Sequence, residues 1–446
     1  MPSVHAGARL DRLPISRFHR RVFALVGIGM FLDGFDIYLA SAVLGATLQS
    51  GFATMQQNAL FVSSTFIGMM IGSVTAGFVG DRYGRCFTYQ VNLALFGFAS
   101  LAAGFSWNME TLIVMRFFMG LGLGAENVVG YATLTEFIPA RARGRWLGIM
   151  AMIVALGLPV SILLSTYLIP THGWRIMFFI GGIGGLAVWW IRKSLPESPR
   201  WLEAVGRDLE AETMLQQVEA ECTEDLPEIV LPPAGPPATF GALFRPPLLR
   251  HMIVGSLALM IINTIIHGYV TWLPSFFIRQ GMSMTSSFKL ALVMAIGAPI
   301  GGACAAFAAD RIGRKPTVGL ACVLAIGVAW FYPGIKDPAL LPFGGLALTA
   351  PIFILYSMLF GIYVPELFPT EVRLRAAGIC NMFGRGGTII TPFIVVSLFD
   401  TGGVQAVTTM MIGLLAALAV VVVVLGIEPR RVSLEQMNAA NPLPAE

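Results

Sequence analysis

GFVGDRYGR, residues 77–85, returns as AFAADRIGR at residues 306–314. The aspartates of the two copies, Asp81 and Asp310, are separated by 229 positions. A second pair keeps nearly the same offset. EFIPARARG (136–144) is matched by ELFPTEVRL (366–374), and Glu136 and Glu366 are 230 positions apart. LPESPR, at the end of the first half, is echoed more weakly by GIEPRR near the end of the second. Three motifs at one offset describe a duplicated chain, and the fold question reduces to what one half contains.

Each half is built of apolar stretches. The 446 residues are 56% hydrophobic and 12% charged, with mean hydropathy +0.75. A soluble domain carries about 25% charged residues. Stretches of about 20 apolar residues recur along the chain, as in proteins that cross a bilayer repeatedly. Twelve spans are predicted, at about 21–47, 58–80, 86–106, 110–136, 145–168, 173–192, 250–278, 285–309, 316–335, 341–364, 374–399 and 404–427. This gives an all-α membrane protein in two six-helix lobes, 21–192 and 250–427. Around them lie an N-terminal tail (1–20), a middle loop (193–249) with the proline-rich LPPAGPPATF, and a C-terminal tail (428–446). Parallel repeats of six spans build two-lobed carriers with a site between the lobes.

Charge sets the orientation. With the N-terminus inside, all but six of the 29 Lys and Arg fall in cytoplasmic segments. The six are Arg175, Arg279, Lys289 and Lys336 outside, and Arg116 and Arg385 within spans. The positive-inside rule therefore places both termini and the middle loop in the cytoplasm, and a cell inner membrane is the expected location. The net charge of +4 reflects these loops and not a nucleic-acid surface. The basic N-terminus lacks a cleavage site and is expected to be retained. The five cysteines are scattered and show no metal or disulfide spacing. No HExxH, GxSxG or nucleotide loop points to an enzyme, and no cofactor is implied.

Within this apolar chain, FLDGFDIYLA (31–40) is anomalous. A charged aspartate at mid-bilayer costs about 3 kcal/mol even on lenient scales. Asp33 and Asp36 are three positions apart, hence on one face of a helix. That face must meet water or a partner. Burial and a like-charged neighbour both favour the protonated form, so one of the pair can hold a proton near neutral pH. Glu126, in GLGLGAENVVGY of the fourth span, is a second proton candidate or an arginine's partner. Arg116, in the outer third of that span, is a candidate substrate contact, or a side chain that snorkels to the interface. Arg385, in NMFGRGGTIITP, lies too deep to reach either interface, and its planar fork suits a carboxylate. Its alternative is a salt bridge to Glu126 or to the aspartates. Tyr38, His267 and Trp272 are candidate lining residues for a flat substrate, or else an interface belt.

These motifs together resemble the major facilitator superfamily, over about Arg20 to Arg431. The loop G-x-x-x-D-R-x-G-R resembles its signature between spans two and three. PESPRWL, RFFMGLGLGAENVVGYATLTEFIPARARG and PELFPTEVR resemble its sugar-porter and organic-ion branches. DGFD resembles the bacterial aromatic acid/proton symporters. Cys86 and Ala306 depart from the signature, where a basic residue and a glycine are usual. The resemblance implies a proton-coupled importer of a small organic acid, working as a monomer by alternating access. It also implies a cytoplasmic gate of Asp81, Arg82, Arg85, Glu136, Arg143, Asp310, Arg311, Arg314, Glu366 and Arg373, with arginines meeting Glu136, Glu366 and Glu197 across the lobe interface. A sugar or polyol porter is the runner-up, disfavoured by the scarcity of mid-span amides. A drug antiporter is disfavoured because the fifth span lacks a Gly-Pro dipeptide. A non-transporting sensor is disfavoured by the Asp pair and by the absence of a large soluble extension.

Overall fold

The computed structural model describes residues 4–222, 226, 240–246, 248–335, 337, 339–368 and 373–427. Among these, every regular element is helical. The helices are α1 (Ala6–Arg12), α2 (Arg17–Gln49), α3 (Met55–Tyr83), α4 (Arg85–Gly104), α5 (Met109–Phe137), α6 (Ala140–Ala155), α7 (Gly157–His172), α8 (Arg175–Ile191), α9 (Pro199–Ala204) and α10 (Asp208–Ala220). They continue as α11 (Leu248–Gly268), α12 (Leu273–Arg279), α13 (Met284–Ala295), α14 (Gly297–Arg311), α15 (Arg314–Phe331), α16 (Leu341–Ser357), α17 (Val364–Glu366) and α18 (Arg373–Ala419).

Among the described residues, eleven segments are long and apolar enough to cross a membrane. The last, Arg375–Leu425, has 51 residues. At 1.5 Å per residue that is about 76 Å, more than twice a hydrocarbon core of about 30 Å. Gly403 breaks it with φ 64° and ψ −158°, between the eleventh and twelfth predicted spans, so the eleven segments make twelve crossings.

The chain forms two compact units. The first comprises Met1–Asp36, Ile67–Gly157 and Arg175–Gly235. In it α4 packs between α5 and α8. The middle of α2 lies directly on the end of α6. A Cβ added to Gly34 would stand 2.2 Å from the carbonyl oxygen of Val154, so only glycine allows the backbones to meet.

The second unit comprises Ile37–Phe66, Leu158–Trp174 and Pro236–Glu446. Its main contacts join α11 to α18 and α16 to α13, α14 and α15. Thr349 of α16 donates to the Met294 carbonyl at 2.6 Å, tying α16 to α13. The tenth span passes through a wide turn at Met358–Tyr363 before α17.

The duplication persists in backbone detail. Gly84 and Gly313 stand immediately before α4 and α15, with φ/ψ of 95°/167° and 106°/168°. Both turns need a residue that tolerates positive φ, which is why each copy of the signature ends in Gly-Arg.

Candidate functional site

The first unit buries two ion pairs among its spans. Arg116 of α5 gives Nη1 to Asp36 Oδ2 at 2.5 Å and Nη2 to the Asp36 carbonyl at 3.0 Å. Both side chains are essentially inaccessible, at 1% and 0%. The snorkelling reading of Arg116 is therefore corrected. Its guanidinium turns inward to Asp36, whose carboxylate and main-chain carbonyl compensate a charge held out of water. Asp36 Oδ1 accepts no hydrogen bond.

The second pair gives Glu126 an arginine partner, whose identity as Arg192 was not anticipated. Arg192, directly after α8, donates to Glu126 and to the carbonyls of Leu25 (2.8 Å) and Val26 (2.7 Å). Its guanidinium stacks on Tyr89, 4.5 Å from the ring centre. Asp33 is buried and lies in the field of the same arginine. The two aspartates thus answer to different cations, Asp36 to Arg116 and Asp33 to the Arg192 centre. In sequence Arg192 is one more basic residue at a span end, which hides it.

A second group of candidates gathers in the other unit. Arg385, half-buried on α18, lies within electrostatic range of His267 and Tyr356. Phe66 meets the His267 ring edge-on at 4.5 Å between centroids. Tyr356 is also within range of Tyr38, and stacks on Phe360 at 5.2 Å. Arg385, His267 and Tyr38 are thereby linked through Tyr356, with Phe66 against His267. Neither Phe66 nor Tyr356 stood out in the sequence, because both are aromatics in spans full of them. Trp272 belongs elsewhere. It is fully buried and stacks on Phe276, which lies parallel to Phe399 at 4.8 Å. Its observed ring contact is with this aromatic stack.

The signature loops form a third group. Arg85 donates Nε and Nη2 to Glu136 at 3.1 and 2.8 Å, and Nη1 to Asp81 at 2.9 Å. Glu197 accepts the backbone N–H groups of Arg85 (2.9 Å) and Cys86 (3.1 Å), capping α4. Arg314 meets Glu366 through two donors, at 2.8 and 2.9 Å. For Arg85 and Arg314 the expectation of meeting an acid across the lobe interface is corrected. Arg85, Glu136 and Glu197 all lie in the first unit, and Arg314 and Glu366 in the second. The repeat makes each half close its own pair. Arg82 lies over the Tyr83 ring and Arg311 over Phe307. Arg143 meets Asp11 at 3.3 Å. The side chains of Asp310 and Arg373 fall outside the described residues.

Among the described residues no three His, Cys, Asp or Glu side chains form a metal-binding group. All five cysteines are free thiols.

Comparison with known proteins accords with this architecture. A family model described as Major Facilitator Superfamily matches residues 26–365. The chain is 36% identical to the inner membrane metabolite transport protein YdjE of Escherichia coli strain K12, over 98% of each chain. It is 31% identical to the niacin transporter NiaP of Acinetobacter baylyi, over 97% of this chain and 99% of that one. Its fold matches the xylose transporter XylE of E. coli with a TM-score of 0.73 and 17% identity, covering 94% of this chain and 100% of that one. A duplicated twelve-crossing bundle, signature loops at both repeat positions and relatives matched end to end lead to one conclusion: the chain belongs to the Major Facilitator Superfamily, whose members are membrane transporters and not enzymes.

Proposed function

We propose that this protein is a proton-coupled importer of a small organic acid, with an aromatic carboxylate as the substrate class. The observation that carries the coupling is the Asp36–Arg116 pair, fully buried within the spans. An ion pair there is stable only while both charges are present. A proton on Asp36 cancels one charge and weakens the pair, so protonation and the packing of α2 against α5 are linked. Asp33 and Glu126, beside Arg192, are the further acids able to take part.

Arg385 supports the substrate class. A guanidinium beside His267 and Tyr356, with Phe66 at hand, offers a paired donor for a carboxylate and rings for a flat body. The 31% relative is named for niacin, a pyridine carboxylate. Arg116 is assigned to the proton site and not to the substrate, because Asp36 holds both of its terminal nitrogens. The Arg85–Glu136 and Arg314–Glu366 pairs are read as the cytoplasmic gate, with both termini on that side of the inner membrane and the monomer as the working unit.

Uptake into proteoliposomes under an imposed pH gradient tests the reading. The panel is niacin, other aromatic acids, short aliphatic acids and sugars. Accumulation of an acid that collapses with a protonophore supports it. Gradient-driven accumulation of a sugar instead selects the polyol reading, favoured by PESPRWL.

A further inference from the structure

Helix α1 has seven residues, too few to persist alone. It is nevertheless fixed on every side. Ala6, Leu10 and Leu13 are fully buried with Leu215 and Val218 of α10. Both oxygens of Glu203 accept the backbone N–H groups of His5 and Ala6, at 2.8 and 2.9 Å. Arg9 reaches Glu212 and Glu219, and Arg12 joins Glu219 at 2.7 Å. Asp11 is met by Arg200 at 2.9 Å and by Arg143 at 3.3 Å.

What α1 grips is connected to the signature loop. Arg200 gives its Nε to the Glu136 carbonyl at 2.9 Å, while the Glu136 carboxylate holds Arg85. The next residue, Trp201, donates its indole N–H to the Asp81 carbonyl at 2.9 Å. Glu197, two residues before α9, caps Arg85 and Cys86. A continuous path of polar contacts thus runs from Asp11 through α9 to Asp81, Arg85 and Glu136.

The geometry points to α1 as a positioning element for the signature loop. Docked, it holds Arg200 and Trp201 in place, and these fix Asp81–Arg85 against Glu136. Undocked, α9 loses Asp11 and Glu203 loses its two amides, and the loop becomes free to move. The consequence for transport rests on the reading of this loop as a gate. A loosened gate changes the rate of switching between states and leaves the substrate site untouched.

The test uses full-length protein in proteoliposomes, with Asp11→Lys, which sets a cation against Arg143 and Arg200, and Leu10→Asp, which undocks α1 by another route. Asp11→Glu is the conservative control. Hydrogen exchange of amides 81–86, turnover and substrate Kd are measured, with Arg85→Ala as the gate comparator. Asp11→Lys and Leu10→Asp are expected to speed exchange at 81–86 about ten-fold. Turnover shifts by about five-fold while Kd stays within about two-fold, and Asp11→Glu restores both readouts. Unchanged exchange at 81–86 in both undocking variants overturns the proposal. Faster exchange with unchanged turnover, in these variants and in Arg85→Ala alike, upholds the positioning role and removes the gate reading instead.

Discussion

Removing Arg116 tests the buried pair most directly. Arg116→Ala leaves the Asp36 carboxylate at 0% exposure without the guanidinium that meets its Oδ2 and its main-chain carbonyl. Breaking a buried pair from one side costs about 3–5 kcal/mol, because the remaining charge is still out of water. Removing both charges is far milder, so Asp36→Asn with Arg116→Gln is expected to cost about 1–2 kcal/mol, roughly two lost charged hydrogen bonds offset by recovered desolvation. With Asp36→Asn and Arg116→Gln each breaking the pair from one side at about 3–5 kcal/mol, the two sites should couple by about 4–9 kcal/mol in a double-mutant cycle. Lowering the pH should shrink the cost of Arg116→Ala, since a proton then does the neutralising. The assay is equilibrium unfolding in mixed micelles of wild type, both single variants and the double variant. Additivity within about 0.5 kcal/mol, where independent sites fall, would refute the pairing as an energetic unit.

Asp36→Asn should abolish accumulation driven by a pH gradient while sparing counterflow exchange; full accumulation in this variant would remove Asp36 from the coupling role. Arg385→Lys keeps charge but loses the planar fork, and should weaken binding of an anionic substrate by about 1–3 kcal/mol, with Arg385→Ala weaker still; titration calorimetry with an acid and its amide separates charge from shape. Gly34→Ala forces a methyl to within 2.2 Å of the Val154 carbonyl and should destabilise the first unit by about 1–3 kcal/mol, seen as a lowered unfolding midpoint. The hydrogen bonds from Arg9 hold Glu212 and Glu219 below the ordinary value of 4.5. Their contribution is thus complete above that value and lost as pH falls through the depressed ones. Docking of α1 should be constant from about pH 8 to 5 and fail only in stronger acid, read by the environment of a fluorophore at position 5.

The crossings were legible because a bilayer demands long apolar stretches, and the break at Gly403 falls between the two predicted spans that share the last segment. The repeat offset identified Arg85 with Glu136 and Arg314 with Glu366 as corresponding groups. It could not say whether each pair closes within one half, because an offset gives equivalence and not distance. Arg192 escaped for a related reason. A cation at a span end satisfies the positive-inside pattern wherever its side chain points, and only packing shows that it reaches the carbonyls of Leu25 and Val26. Trp272 was ambiguous for another reason. Aromatic rings near a span end look alike in sequence whether they face a ligand or, as here, stack on Phe276. Helix α1 was invisible as an element, since seven residues carry little periodicity and its ion partners lie about 200 positions away.

The Asp36–Arg116 pair also has a consequence for how the protein is made. The two residues are 80 positions apart. At about 5–20 residues per second, the first span leaves the ribosome some 4–16 s before the fourth. During that interval it carries two aspartates, each costing about 2.5–3.5 kcal/mol at a helix centre on insertion scales, and Arg116 does not yet exist. The first span must therefore wait as a neutral acid or beside the translocon, sheltered from acyl chains. Synthesis stalled between spans one and four should leave it extractable by carbonate, and release of Arg116 from the ribosome should be the step that anchors it.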